Sequence, residues 1–265
     1  MTASTPLPLP PAMITRAREF TGPPAPVRPA ATVMLVRPAE DQRLEAYVLK
    51  RATTMVFGGL YAFPGGGVDP SDSPVTIRDD WAELLGVPDA EARAVVGAAA
   101  RELFEEAGVL LAGAADQPDR TVGDVSTVDW EADRAAVAAR ELTLTELLDR
   151  RGLRLRDDLL LPWARWITPE FEPRRFDTWF FVSLLPQGQT PRDVSGESDG
   201  TTTWVDPAAA DGLAMLPPTR STVDSIAPYR SMEEVVAAAS RRDAATPVMP
   251  RVELTDDGGA LLHIP

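Results

Sequence analysis

The chain predicts an α/β (α+β) fold, a single domain in which strands and helices interleave. Three observations carry that reading. Runs rich in Val, Leu, Thr and aromatic residues recur at 31–37, 45–51, 164–167, 178–185 and 201–205, the composition of strands. Stretches with helical spacing stand between or after them, at 88–107, 131–151 and 231–242. The 265 residues are 44% hydrophobic and 25% charged, enough to bury a sizeable core, and no internal repeat breaks them into units.

Taken in order, residues 1–29 hold eight of the 26 prolines, with Arg16, Arg18 and Phe20 among them. Such a segment favours extended polyproline II and is expected as a loose tail or as an arm lying across its own domain or a partner. Residues 38–43 read as the turn of a hairpin joining the first two strands. A glycine-rich passage follows, Gly58-Gly59 and then Phe63-Pro64-Gly65-Gly66-Gly67. The helix at 88–107 opens on Pro88 and Asp89 and is capped by Gly108. The main domain is expected over 30–225, and 226–265 as a helix and tail packed on it.

Composition also excludes. With no cysteine, disulfides, thiolate metal sites and cysteine nucleophiles are ruled out. A lone histidine, His263, leaves a Ser-His-Asp triad or a histidine zinc site almost nothing to be built from. Forty acidic against 26 basic residues give a formal charge of −14, which argues against a nucleic-acid partner. Apolar runs are far short of the ~20 residues of a membrane helix, so no membrane partner is expected. The N-terminus lacks the basic region and apolar run of a signal peptide, and cytoplasm is the expected location.

The informative residues are Arg101-Glu102-Leu103-Phe104-Glu105-Glu106-Ala107-Gly108-Val109. On a helix, Glu102, Glu105 and Glu106 stand at i, i+3 and i+4 and share a face. Each like-charged pair costs roughly 0.2–0.5 kcal/mol. They also lie in the last turn, where the helix dipole is already negative. Two readings are open, a solvated acidic face and a site neutralised by a cation. An all-carboxylate site suits a hard, oxygen-seeking ion, Mg²⁺ or Mn²⁺.

Together with the glycine passage, this segment resembles the Nudix box, G-x5-E-x7-R-E-U-x-E-E-x-G-U with U apolar. Gly66 matches the first glycine, Asp72 stands at the first acidic position, and 101–109 match every specified position of the second half. Residues 73–100 separate the halves where the pattern has seven residues, an insertion of 21. An interrupted box is similar to the acyl-coenzyme A diphosphatase branch of the Nudix hydrolase superfamily. Phe63-Pro64-Gly65-Gly66, Arg165-Trp166-Ile167-Thr168-Pro169, Arg174-Arg175-Phe176-Asp177-Thr178 and Leu216-Pro217-Pro218-Thr219-Arg220 agree with it.

The resemblance implies a Nudix-type α/β/α sandwich around a mixed sheet, with helical insertions. It implies a metal-dependent hydrolase of a pyrophosphate bond in a nucleoside diphosphate linked to another group. Coenzyme A or acyl-coenzyme A is the favoured substrate, and ADP-ribose or another nucleotide sugar the alternative. A non-catalytic Nudix-fold regulator that binds a nucleotide is the alternative of another class.

Carried over by position, Glu105 and Glu106 are metal ligands, Glu102 is a ligand or helps activate water, and the Gly66 carbonyl completes the sphere. Arg101 orients the carboxylates. Glu197, in the polar loop 195–198, is either the general base or a solvated loop residue. Arg51, Arg174 and Arg175, with Phe63, are the substrate-side candidates, since arginine forks suit phosphate oxygens. The partner is a small-molecule nucleotide, and a homodimer stays open as the assembly. The insertion predicts a peripheral excursion over 73–87 with its own small apolar contact through Trp81, Leu84 and Leu85.

Overall fold

The computed structural model describes residues 6–40, 43–54, 58–74, 76–117, 119–194 and 198–265. β1 (Leu7–Pro8) and α1 (Pro11–Glu19) open the chain, with Pro11 at the first helical position, where its missing N–H is no loss. β2 (Val27–Pro38) and β3 (Leu44–Arg51) form the expected hairpin, Val36 opposite Ala46. β4 (Tyr61–Ala62) pairs with β3, and β5 (Gly65–Gly67) lies along β2 with Gly66 opposite Ala31. α2 (Trp81–Leu85) leads into the long α3 (Asp89–Ala107), which ends at Gly108 with φ 63°.

β6 (Ala112–Ala114) comes next. The helical stretch at 131–151 is two helices, α4 (Val128–Ala138) and α5 (Leu144–Arg150), separated where Thr143 and Glu146 form a capping box. β7 (Leu153–Leu155) pairs with β6. β8 (Leu161–Ile167), β9 (Arg175–Leu184) and β10 (Ser198–Val205) complete the main sheet. α6 (Pro217–Ile226), α7 (Met232–Ala239), β11 (Arg251–Leu254) and β12 (Ala260–His263) close the chain.

Among the described residues the main sheet has seven strands in the order β10-β3-β2-β9-β8, with β4 on β3 and β5 on β2. It is mixed: β2 and β9 run parallel and the other pairs antiparallel. Strand alternation gives each face its own core. Ala31, Val33, Leu35, Trp179 and Phe181 pack with α2, α3, α4 and α5 on one side. Met34, Val36, Phe180 and Val182 pack with Val223 and Ile226 of α6 and Val235 of α7 on the other. The result is an α/β/α sandwich. No helix among the described residues is long and apolar enough to cross a membrane.

Two expectations are corrected. The proline-rich segment is not extended throughout, since Pro11–Glu19 is helical, and it is not loose: β1 pairs with β12, which pairs with β11. Leu9, Met13 and Ile14 pack there on Phe171, Ala260 and Leu262. Nor is the excursion at 73–87 peripheral. Trp81 and Leu85 are wholly buried in the main core; the Trp81 indole meets the Phe181 ring edge-on at 5.9 Å and donates to Asp157 at 2.7 Å. Trp179 in turn donates to the Leu85 carbonyl at 3.2 Å. A Trp and a Leu four residues apart bury too much apolar area to stay at the periphery when a sheet face is within reach.

Candidate active site

The C-terminal end of α3 and the β5 strand meet in one cleft of about 660 Å³. Glu102, Glu105 and Glu106 line it from the helix, and Gly65, Gly66 and Gly67 from the strand. Contact between the two is close. The Gly65 amide donates to Glu106 Oε2 at 2.9 Å, and a Cβ added at Gly66 would fall 2.5 Å from Glu102 Oε1. A side chain at this position would have to push the Glu102 carboxylate aside.

Arg101 lies beneath the carboxylates, 2% exposed. Its guanidinium donates to both oxygens of Asp72, to Glu102 at 2.6 Å, to Glu105 at 3.0 Å and to the Gly67 carbonyl at 2.9 Å. Burial by itself would lower its pKa; the Asp72 hydrogen bonds and the charges of Glu102, Asp72 and Glu105 outweigh that and hold it raised. Burial raises Glu102 to about 7, with Arg101 pulling it down and Glu105 pushing it up. The shorter Asp72 reaches Arg101 because a 3₁₀ turn, Pro70–Asp72, carries it there, closed by a capping box with Asp69.

The like-charged helix end is offset by arginines from other segments. Arg140, just beyond α4, is ion-paired with Glu105. It holds φ 60°, a left-handed conformation costing a non-glycine residue roughly 1–2 kcal/mol. Arg134 of α4 donates to the Glu105 carbonyl at 2.8 Å, and the Arg192 amide to the Ala107 carbonyl at 2.9 Å, which satisfies the last turn of α3.

Arg28, Pro29, Arg134, Arg140 and Phe176 also line the cleft. The spacing rules did not single these out, because they come from three separate segments; only Phe176 fell inside a noted motif.

The remaining candidates lie elsewhere. Phe63 is 4% exposed in the core on the α6–α7 side and does not line the cleft. Arg51 ends β3 opposite Ser198, outside the lining residues. Arg174 is exposed and also outside them. Arg175 is buried and donates to the carbonyls of Thr168 and Ala25, each at 3.0 Å, because strand alternation turns it away from the side taken by Phe176. Glu197 lies outside the described residues.

Among the described residues no three acidic or imidazole side chains are already gathered as a coordination sphere. Arg101 and Arg140 hold Glu105 instead. The donor set nevertheless suits a hard divalent ion: all oxygen, on one wall, facing a strand kept bare by glycine.

No family model matches the chain. It is similar to a Caenorhabditis elegans protein named "Putative nudix hydrolase 7", 29% identical over 197 residues, which are 72% of this chain and 57% of that protein. The chain thus matches little more than half the length of that relative. Among solved structures it resembles a NUDIX hydrolase from Alicyclobacillus acidocaldarius, with a TM-score of 0.64 and 26% identity over 84% of this chain and 99% of the other. The layered fold and the glycine strand set against the α3 carboxylates agree with these likenesses to Nudix hydrolases.

Proposed function

We propose that the protein hydrolyses a pyrophosphate bond in a nucleoside diphosphate linked to a second group, with a divalent ion, Mg²⁺ or Mn²⁺. One observation carries the reading: three carboxylates and a bare glycine strand share a single cleft, braced from below by a buried arginine. Glu105 and Glu106, with Glu102, are the residues that would hold the ion. Bound there, it would neutralise phosphoryl charge and lower the pKa of an attacking water.

The protein's own groups do the rest. Arg101 fixes the rotamers of Glu102 and Glu105 through direct hydrogen bonds, and Glu106 is oriented by the Gly65 amide. Glu102, largely buried against Gly66 and Arg101, is placed either to hold the ion or to help activate the water. Water oxygen bonds to one phosphorus and gives up a proton to a carboxylate of the cleft and then to solvent, the bridging P–O bond breaks, and the departing phosphate keeps the electron pair.

Coenzyme A or an acyl ester is the favoured substrate, on the strength of the motifs shared with that branch. ADP-ribose or another nucleotide sugar is the alternative, favoured by the placement of Arg174 and Arg175 away from the cleft. The test is hydrolysis of coenzyme A, its 3'-dephospho form, ADP-ribose and NADH with each ion, products identified. Coenzyme A cleaved at least about tenfold faster than its dephospho form (1.4 kcal/mol) supports the favoured substrate. Brisk ADP-ribose hydrolysis beside inert coenzyme A moves it to the alternative. Nucleotide binding without cleavage of any of them would make the protein a regulator.

A further inference from the structure

The cleft has a second wall that the pyrophosphate chemistry does not use. Arg28 of β2 and Phe176 of β9 are directly opposite each other in the parallel ladder, and both line the cleft. Phe176 is 38% exposed, close to Phe20 of the N-terminal segment at 36%, whereas Phe63, Phe104, Phe171, Phe180 and Phe181 are buried. Of the three arginines lining the cleft, Arg134 and Arg140 are engaged by Glu131 and Glu105. The Arg28 side chain is exposed and has no hydrogen bond, ion pair or ring contact among the described residues. An aromatic face and an uncommitted guanidinium therefore stand side by side on the rim.

Their backbones are held rigidly. The Phe176 amide donates to Thr168 Oγ1 at 3.0 Å, and its carbonyl accepts from the Thr168 amide at 2.9 Å. Arg175, between the strands, ties Thr168 to Ala25, just ahead of β2.

We propose that Arg28 and Phe176 form the nucleoside-end subsite of the cleft, Phe176 stacking on a planar base and Arg28 holding a phosphate of the same ligand. A base offers a π face to an aromatic ring whatever its identity, and a guanidinium fork matches phosphate oxygens. In a chain of charge −14, an uncommitted arginine is the group able to draw a polyanion toward a wall of carboxylates. The inference rests on reading the cleft as a nucleoside diphosphate site and names the part of the substrate that this rim recognises.

The experiment titrates adenosine and ADP into the full chain in EDTA, by calorimetry or ligand-observed NMR, so that hydrolysis does not enter. Phe176→Leu should weaken both ligands by about tenfold. Arg28→Gln should weaken ADP by about tenfold and leave adenosine unchanged, while Arg28→Lys restores part of the loss. Arg241→Gln, an exposed arginine outside the cleft, should change neither. Circular dichroism confirms that each variant is folded. Wild-type affinity for ADP in folded Phe176→Leu and Arg28→Gln overturns the subsite, and so does a wild-type chain that binds neither ligand. If the variants lose binding as expected while the wild type cleaves nothing with Mg²⁺ or Mn²⁺, the subsite stands and the hydrolase reading falls.

Discussion

Both carboxylate oxygens of Asp72 accept from the Arg101 guanidinium, at 2.5 and 3.0 Å, across 29 residues of sequence. The pair is dry, its side chains 3% and 2% exposed, and it is the floor on which Glu102 and Glu105 rest. Removing one partner leaves the other charged and buried. Arg101 keeps Glu102 and Glu105 as counter-charges but loses the acceptors of two N–H groups, so Asp72→Ala should cost about 1–3 kcal/mol in urea unfolding. A loss under about 1 kcal/mol would mean that the guanidinium finds water or another acceptor, and that the floor is not held by this pair.

Glu106→Gln keeps the acceptor for the Gly65 amide and removes one negative charge from the proposed ion site. Steady-state hydrolysis should fall by two or more orders of magnitude, with the melting temperature nearly unchanged in EDTA. Turnover at the wild-type rate would remove Glu106 from the site.

Burial raises Glu102 to about 7, so between its ordinary 4.5 and that value the folded state binds the proton more tightly than the unfolded chain. Stability contributed by this group is present at low pH and is lost as pH rises through 7, by up to about 3 kcal/mol. Melting curves in EDTA from pH 5 to 8 should fall more steeply for the wild type than for Glu102→Gln. Adding Mn²⁺ should recover more stability at pH 8 than at pH 5, since only the ionised carboxylate binds it. Parallel curves for the two proteins would show that Glu102 titrates as an ordinary carboxyl.

Gly97 makes a sign test of the packing behind the site. In an exposed helix, glycine to alanine stabilises by roughly 1 kcal/mol. Here a Cβ would sit 1.6 Å from the Asp72 carbonyl oxygen, a backbone atom that cannot rotate away. Gly97→Ala should destabilise by about 3 kcal/mol or more by displacing Asp72 from Arg101. A neutral or stabilising result in chemical denaturation would contradict the close approach of the 3₁₀ turn to α3.

What could be read from the sequence was what is local. Residues 88–107 carry their own start, period and stop, and α3 follows them within a residue. The β2–β3 hairpin is set by two apolar runs and a polar turn. The carboxylate face of α3 and its meeting with Gly66 were likewise legible, because helix geometry and a spaced motif specify them. What stayed hidden depends on partners far along the chain. Two-residue β1 has no pattern of its own and exists because β12 pairs with it. Trp81 and Leu85 announce burial but not against which face. Arg28 and Phe176 come to line the cleft only through the sheet order, which brings residues 28 and 176 together, and Arg140 only through the packing of α4 on α3. Arg175 was legible as a cation, but the direction of its side chain is set by strand parity, and that follows from the register with β2.

The parallel pairing of β2 with β9, noted above as what makes the sheet mixed, has a consequence for biosynthesis. Arg28 waits for Phe176, 148 residues later, before the long edge of β2 is covered. During synthesis at ~5–20 residues per second that edge stays open for roughly ten seconds or more. Contacts of such sequence separation form late, and an unpaired apolar strand is a template for other chains. The β2–β3 hairpin is thus a segment of the nascent chain that gains from shelter until β9 has been made. A ribosome-bound fragment ending before residue 175 should be markedly more prone to aggregate than one extending past 184.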